Sequence, residues 1–165
     1  MKKIVLISDT HHVLDKHFFK YFSNADEIWH AGDIGNLTIT DKLKEFANLR
    51  AVYGNIDNSI IRSEFSDTLY FKCEDINVLM THIGGYPGNY NKNILPIIKE
   101  KKIDLFICGH SHILKVIYDK KYNLLHLNPG ALGNFGIHQV KTLIKFDVEK
   151  KNIKNLKIIE IPKKN

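Results

Sequence analysis

The sequence lacks several features that would place it outside the ordinary globular class. It has only two cysteines and four prolines in 165 residues, with hydrophobic residues at 44% and charged residues at 25%. It contains no internal repeat, no low-complexity tract and no linker rich in Gly, Ser or Pro. No apolar stretch approaches the roughly 20 residues needed to cross a bilayer. A chain of this length can bury a core without disulfides, so we expect one domain over residues 1–165 and no membrane partner.

The scarcity of cysteine indicates a cytoplasmic protein. Cys73 and Cys108 both lie in apolar surroundings along the chain, which favours two buried thiols over a disulfide. The apolar run Ile4–Ile7 follows a basic start but is too short for the core of a signal peptide, and Asp9 follows at once. We therefore expect a cytoplasmic location.

Basic charge is concentrated at the end of the chain. The net charge is +6, and residues 141–165 carry +5 of it through eight lysines against three acidic residues, which leaves +1 for residues 1–140. The lysines alternate with apolar residues, a pattern that predicts an edge strand with its lysines in solvent. Recognition of a nucleic-acid backbone needs cations spread over a face, so nucleic acid is not an expected partner.

Short apolar runs predict buried strands in the first 130 residues. Rich in Val, Ile, Leu and aromatic residues, the six runs are Ile4–Ile7, Glu27–His30, Leu49–Tyr53, Val78–Met80, Leu105–Cys108 and Leu124–Leu127. Helical periodicity lies between several of them, at residues 14–22, 40–47 and 91–102. After residue 102 the pattern turns to strands, at residues 113–119, 122–127, 140–148 and 153–161. This arrangement predicts an α/β sheet core, with two sheets face to face and helices outside.

Asp, Asn or His follows the end of each of these six runs. The exit segments are Asp9-Thr10-His11, Gly32-Asp33, Gly54-Asn55-Ile56-Asp57, Thr81-His82, Gly109-His110-Ser111-His112 and Asn128-Pro129-Gly130. Ligands of open α/β sheets bind beyond the carboxyl ends of the strands, so we expect these side chains to meet at one mouth.

The donor types at this mouth predict a pair of metal ions. Carboxylate, amide and imidazole donors without cysteine suit Mn, Fe, Zn or Co. Asp9 with His11, and His110 with His112, are each two residues apart and are expected on one side of a locally extended segment. A glycine stands directly before three of the proposed ligands, where it lets the chain turn sharply and approach a ligand closely.

Taken in order, these segments resemble the motifs of the calcineurin-like metallophosphoesterase superfamily. The resemblance runs from Ile4 to about Gly130, and all five metal-ligand segments occur in the family's order. The short chain and the Asn128-Pro129-Gly130 segment resemble the small YfcE-like phosphodiesterase branch. The family implies an α/β four-layer αββα sandwich, in which helices flank two mixed sheets. It also implies two divalent ions, with Mn favoured and Zn, Fe, Ni or Co as alternatives.

The resemblance also implies a role for each residue at the mouth. Seven residues would hold the ions, three on each ion and one between them: Asp9, His11 and His112 on the first, Asn55, His82 and His110 on the second, and Asp33 as the bridge. The implied activity is hydrolysis of a small phosphodiester by attack of a metal-bridging hydroxide on phosphorus. Asn55 would also act in catalysis, by donating a hydrogen bond to a phosphate oxygen.

Two positions depart from the family's pattern. Many members have a His directly after the Asn of the third segment, proposed as the acid for the leaving group, and Ile56 stands there. The YfcE-like branch commonly has a second His soon after the one that matches His82, whereas Ile83 follows here. The general acid is therefore unassigned.

The roles of two other polar residues and one aromatic loop each have two possible interpretations. His12 faces either the substrate or water, and Asp57 either touches metal or caps a helix that begins near Asn58. The loop 86–90 either walls the substrate pocket or forms a surface turn. The remaining histidines are expected to be structural: His17, His30, His126 and His138.

Two other function classes are kept as alternatives. The superfamily includes a retromer subunit that serves mainly in protein assembly, so a protein-interaction scaffold of the same fold, with little catalytic activity, is the second hypothesis. The completeness of the ligand set favours catalysis over it. A nuclease is the third hypothesis, and the near-neutral charge of residues 1–140 speaks against it. A homo-oligomer is left open.

Overall fold

Two five-stranded sheets lie at the centre of the computed structural model, which describes residues 1–163. The first sheet consists of β1 (Lys2–Ile7), β2 (Glu27–His30), β3 (Asn48–Ala51), β11 (Val140–Glu149) and β12 (Asn152–Pro162). Its strand order is β12-β11-β1-β2-β3. The strands β1, β2 and β3 run parallel, and the other two pair antiparallel, so the sheet is mixed.

The second sheet is mixed as well. It consists of β4 (Thr68–Cys73), β5 (Ile76–Thr81), β8 (Leu105–Ile107), β9 (Leu114–Asp119) and β10 (Leu124–Pro129). The order is β4-β5-β8-β10-β9, with the three inner strands parallel and the two edge strands antiparallel to them. A two-stranded hairpin, β6 (Gly85–Tyr86) and β7 (Asn89–Tyr90), follows β5.

Apolar side chains fill the layer between the sheets and the layer outside each of them. Alternation along β1 sends Ile4 and Leu6 to the layer between the sheets, and Val5 to the helices outside. Trp29 and Phe146 meet edge to face in the inner layer, with ring centroids 5.6 Å apart. The outer layers are closed by four helices: α1 (Phe19–Phe22), α2 (Leu37–Lys44) and α3 (Ser59–Glu64) on the first sheet, and α4 (Leu95–Glu100) on the second. The predicted αββα sandwich is confirmed.

Helix boundaries differ from the sequence prediction. The helix predicted at residues 14–22 is a 3₁₀ turn, Lys16–Phe18, that runs into the single turn of α1. The second begins earlier, because the Asn36 side chain accepts a hydrogen bond from the Ile39 amide and caps α2 at residue 37. The third is shorter than predicted, with Pro96 in its first turn. Periodicity therefore located three of the helices approximately, and the Asn36 cap set the start of α2.

The lysine-rich strand β12 lies at the edge of the first sheet, as predicted. Its partly buried Ile159 and Ile161 pack on the helical side of that sheet. Lys164 lies outside the described residues. Cys73 and Cys108 are buried free thiols, also as predicted. Within residues 1–163, no helix has the length and apolar character that a membrane span requires.

Candidate metal centre

The seven predicted ligands meet at the carboxyl ends of the parallel strands. Six of their side chains form two groups, each with ligand atoms within 4.8 Å of one another: Asp9, His11 and His112, and Asp33, His82 and His110. Asn55 joins the second group, with its Oδ1 atom 3.1 Å from His82 Nε2. Residues from distant parts of the chain therefore form one site, as the exit segments predicted.

The Asp33 carboxylate lies between the two groups. Its Oδ2 atom is 3.5 Å from Nε2 of His11, and its Oδ1 atom is 3.2 Å from Nε2 of His82. The Ile56 amide donates a hydrogen bond of 3.1 Å to Oδ1 and fixes the orientation of the carboxylate. Burial alone would raise the pKa of Asp33, but its contacts with His82 outweigh burial and lower that pKa. An ionised carboxylate with one oxygen toward each group has the geometry of a bridging ligand.

Asp9 lies at the buried floor of the site. Its Oδ1 atom is 3.2 Å from Nε2 of His112, 3.7 Å from that of His11 and 4.0 Å from that of His82. Within the described residues, this buried atom accepts no hydrogen bond of acceptable geometry. Burial raises the pKa of the carboxyl, but the adjacent imidazoles of His11 and His112 outweigh burial and hold the pKa below its usual range. A buried, ionised, unsatisfied oxygen among imidazoles fits a cation site.

The orientation of His82 points to the same conclusion. Its Nδ1 atom donates a hydrogen bond of 2.7 Å to the Ala31 carbonyl, so the lone pair of a neutral ring lies on Nε2. That lone pair faces Asp33 Oδ1 at 3.2 Å and Asn55 Oδ1 at 3.1 Å, so acceptors point at acceptors. Such convergence requires a proton or a cation between the atoms. The donor set, with its outer hydrogen bond to a backbone carbonyl, therefore fits a divalent metal.

The backbone at the site is strained at five of the seven proposed ligands. Asp9, His11, Asp33, His110 and His112 all have positive φ, between 45° and 68°. The prediction that Asp9–His11 and His110–His112 are locally extended is therefore wrong. Left-handed residues at both ends of each segment bring the side chains together instead. Non-glycine residues in this region are uncommon and concentrate at functional sites.

Glycines before the ligands are required by close approach. A Cβ atom on Gly54 would lie 2.0 Å from Asp33 Oδ1, and one on Gly32 would lie 2.5 Å from His82 Nδ1. Both distances are shorter than any real contact. The prediction that glycine lets the backbone approach a ligand is confirmed at these two positions.

Asp57 has a role that neither of its two readings described. Asn58, not Asp57, caps α3 by accepting hydrogen bonds from the amides of Ile60 and Ile61. The buried Asp57 carboxylate accepts hydrogen bonds from three backbone amides: Ile34 at 3.1 Å, Gly35 at 2.7 Å and Gly54 at 2.7 Å. It thereby joins the segment after β2, which carries Asp33, to the segment after β3, which carries Asn55.

His30 is structural, as expected, but it serves the site. The Gly32 amide donates to its Nδ1 atom at 3.2 Å, so Nε2 carries the proton and donates to Thr10 Oγ1 at 2.9 Å. Thr10 donates in turn to the Ile34 carbonyl at 2.9 Å. This chain of bonds ties the segment after β1 to the segment after β2. Sequence analysis missed the link, and its only signal was a His at the end of an apolar run.

A loop from residue 133 to 138 lies against the first ligand group and was not predicted. The Phe135 ring stacks on His11 with centroids 4.9 Å apart, and the His138 ring meets His112 edge to face at 5.3 Å. By contrast, His12 is exposed, with Nδ1 3.5 Å from the Asn36 side-chain nitrogen. The only sequence signal for the loop is an aromatic residue between two glycines.

A cleft of about 380 Å³ opens beside the second ligand group. Asn55 and His82 line it, together with polar side chains at Thr68, Thr81, Asn91 and Asn93 and the apolar side chain of Ile83. The 86–90 hairpin does not line this cleft: its Tyr90 hydroxyl donates to Asp119 instead. The reading of that hairpin as a pocket wall is not supported for this cleft.

Comparison with known proteins identifies the family. A model of the calcineurin-like phosphoesterase superfamily domain matches residues 1–151. The chain belongs to the calcineurin-like phosphoesterase superfamily. A probable metallophosphoesterase of Methanocaldococcus jannaschii is 34% identical over 155 residues, which cover 90% of this chain and 77% of that protein. Membership places the chain among metal-binding hydrolases of phosphoesters.

Solved structures agree on the fold of this metallophosphoesterase. A Vps29 variant from Entamoeba histolytica superposes with a TM-score of 0.76 at 16% identity, covering 97% of this chain and 98% of the other. A predicted phosphoesterase from Streptococcus pneumoniae gives 0.69 at 18% identity, again covering 97% and 98%. At these identities the likeness establishes the fold alone.

Proposed function

We propose that this metallophosphoesterase hydrolyses phosphodiesters at a centre of two divalent metal ions. The observation that carries the proposal is the pair of three-residue donor groups with the Asp33 carboxylate between them. Two bound ions would supply Lewis acidity and a nucleophilic water at neutral pH, with Mn²⁺ as the favoured metal. Family membership supports the reaction class, and the donor set supports the number of ions.

The protein's own groups would orient the substrate. Asn55 directs its Oδ1 atom to His82, which leaves its amide protons free to donate to a phosphate oxygen. The ionised carboxylates of Asp9 and Asp33 add two negative charges beside the proposed phosphate site. A diester brings one negative charge to the site, whereas a monoester dianion brings two. With the two ions bound, these carboxylates reduce the positive charge of the site and so weaken its attraction for the monoester dianion.

The residues that replace the family's histidines also favour diesters with good leaving groups. Ile56 and Ile83 are 40% and 41% exposed, and neither can donate a proton. A positioned general acid typically accelerates such a step by roughly 10²–10⁴-fold. Without one, the departing oxygen must be stable as an anion, as in an aryl phosphodiester.

A scaffold function is the second candidate, because Vps29 structures share the fold. A Vps29 of Entamoeba histolytica has been crystallised with Zn²⁺, so metal binding alone does not separate the two functions. Turnover does. We expect the enzyme because all seven donor positions are filled and, within the described residues, the buried Asp9 Oδ1 atom is an acceptor without a hydrogen-bond partner.

The test is an assay of bis(p-nitrophenyl) phosphate and p-nitrophenyl phosphate after chelation and reloading with Mn²⁺, Zn²⁺ or Mg²⁺. We expect turnover of the diester that a chelator removes and Mn²⁺ restores, with weaker turnover of the monoester. Asn55→Ala should abolish nearly all of it, and His12→Ala, the neighbouring exposed control, should change it little. Two bound ions per chain with no turnover of either substrate would favour the scaffold.

A further inference from the structure

Two large apolar side chains are exposed on the loop that lies against the first ligand group. Phe135 is 67% exposed and Ile137 is 97% exposed. The Phe135 ring lies 4.9 Å from the His11 ring with a tilt of 36°, so one of its faces rests on a proposed ligand. The exposure shows that the rest of the ring is open to solvent. Apolar side chains exposed together beside a functional site mark a binding surface.

The loop that presents these side chains is held in place at several points. The Gly133 amide donates to the Asp9 carbonyl at 2.9 Å, and His138 Nε2 donates to the Gly133 carbonyl at 3.0 Å. Lys163 donates to the Gly136 carbonyl at 2.7 Å. A Cβ atom on Gly136 would lie 2.4 Å from His112 Nδ1, so the loop backbone is in close contact with the ligand group. The exposed ring therefore has a fixed position relative to the metal centre.

We propose that Phe135 is a substrate-binding residue that selects phosphodiesters carrying a planar aromatic ester group. The inference rests on the proposed function and names its substrate class. With a phosphate between the two ligand groups, an ester substituent that extends past His11 would reach the open part of the Phe135 ring. A planar apolar substituent would stack there.

The two sides of the centre differ in chemistry, which gives the diester a preferred orientation. The rim at Phe135 and Ile137 is apolar, whereas the cleft beside Asn55 offers hydroxyl and amide groups at Thr81 and Asn93. The aromatic substituent therefore belongs at the rim, and a polar second substituent belongs in the cleft, whose lining also includes Arg62 and Asp67.

The test measures binding of three phosphodiesters to the Mg²⁺-loaded protein by calorimetry: dimethyl phosphate, methyl phenyl phosphate and diphenyl phosphate. We expect the first phenyl group to tighten binding by about 5–10-fold, which is the range of aromatic stacking. Phe135→Ala should reduce that preference to about 2-fold or less, and Phe135→Trp should keep it. Phe135→Leu should give an intermediate value.

Tyr118→Ala is the matched control, because Tyr118 is an aromatic residue, 56% exposed, at the opposite end of the second sheet. It should leave the preference unchanged. An unchanged preference in Phe135→Ala, or equal affinity of the wild-type protein for all three diesters, overturns the proposal. A preference that depends on Phe135 in a protein without turnover would uphold this inference and refute hydrolysis, so the two failures are distinguishable.

Discussion

At the scale of single residues, the site is built from conformations and contacts that a side chain rarely tolerates. Five proposed ligands hold left-handed backbone, at a cost of order 1–3 kcal/mol each. Hydrogen bonds offset this cost: the Asp9 amide donates to the Gly32 carbonyl at 2.9 Å, and the His11 amide to the Asp33 carbonyl at 3.0 Å. The strained segment after β1 is thus held by backbone hydrogen bonds to the segment after β2.

Gly54→Ala should weaken metal binding while the protein stays folded. The added Cβ would lie 2.0 Å from Asp33 Oδ1 and 2.3 Å from its amide nitrogen, so the proposed bridge must move. We expect affinity for Mn²⁺ to fall by about 10–100-fold, as it does when the support of a ligand is lost. Calorimetric titration measures the affinity. Gly88→Ala is the control: its φ of 90° makes alanine strain the backbone, but nothing lies within 4 Å of a Cβ there, so it touches no ligand. Equal losses of affinity in both variants would contradict the steric argument.

His126 should make the protein sensitive to acid. It is fully buried, and within the described residues neither ring nitrogen has a hydrogen-bond partner. Burial, with a contribution from Lys115, lowers its pKa to about 4. The folded protein therefore binds the proton less well than the unfolded chain, and stability is full above about pH 6.5 and falls as the pH drops toward 4.

His126→Leu tests this dependence. The variant should be more stable than the wild-type protein at pH 7, by about 1 kcal/mol, because no unsatisfied polar group is buried. Its advantage should grow by about 3 kcal/mol, to about 4 kcal/mol, near pH 4. Urea unfolding at several pH values gives both numbers. A constant difference between His126→Leu and the wild-type protein across these pH values would mean that this histidine does not titrate between the two states.

At the scale of elements, the proposed ligands lie at the carboxyl ends of the parallel strands, and side-chain hydrogen bonds hold together the segments that follow these strands. Asp57 joins the exits of β2 and β3, and His30 joins those of β1 and β2. Arg62 of α3 adds hydrogen bonds to the carbonyls of Asn55 and Asp57. The ligands are therefore held by the sheet and by polar side chains just behind it.

Asp57→Ala should destabilise the fold more than loss of an ordinary helix cap. It removes the acceptor of three buried amides, each worth about 1–3 kcal/mol when left unsatisfied, so we expect a loss of about 3–5 kcal/mol. Asn58→Ala removes the adjacent cap of α3 and should cost about 1 kcal/mol. Denaturant unfolding compares them. Equal losses would mean that water satisfies the freed amides.

At the scale of the whole molecule, charge and shape divide the surface by function. The acidic metal centre lies at one end of the sheets, with an apolar rim on one side and a polar cleft on the other. The basic strand β12 lies at a sheet edge and contributes only Ile159 and Ile161 among the residues packed on the helical core. This separation agrees with a small substrate rather than a nucleic acid, which stays a prediction.

A series of aryl methyl phosphates with rising leaving-group pKa should show steeply falling rates. The reason is that Ile56 and Ile83 supply no proton to the departing oxygen. The measurement is kcat/KM for each ester with the Mn²⁺-loaded protein, under conditions where chemistry limits the rate. A flat series would show that a general acid is present, and His12→Ala would then be the first variant to examine.

The sequence alone determined the features that depend on local patterns. Apolar runs of three to five residues gave the buried strands, and the polar residues after the runs gave the proposed ligand set and the family. Because parallel strands of one sheet have their carboxyl ends at one edge, the meeting of Asp9 and Asp33 followed without coordinates. Their meeting with His82 depends on how the two sheets face each other, because His82 follows β5 of the second sheet. Edge strand β4 escaped notice, since its apolar Leu69 and Phe71 alternate with exposed residues.

Only the tertiary structure decided what depends on contacts across the chain. The Asp57 carboxylate meets amides 22 and 23 residues away, and His30 meets a hydroxyl 20 residues away, so neither role has a signature in nearby residues. The left-handed ligands and the Phe135 loop are of the same kind. Their conformations are unfavourable or undetermined by themselves, and packing against His11 and His112 selects them. Local sequence sets which groups are available, and long-range packing sets where they point.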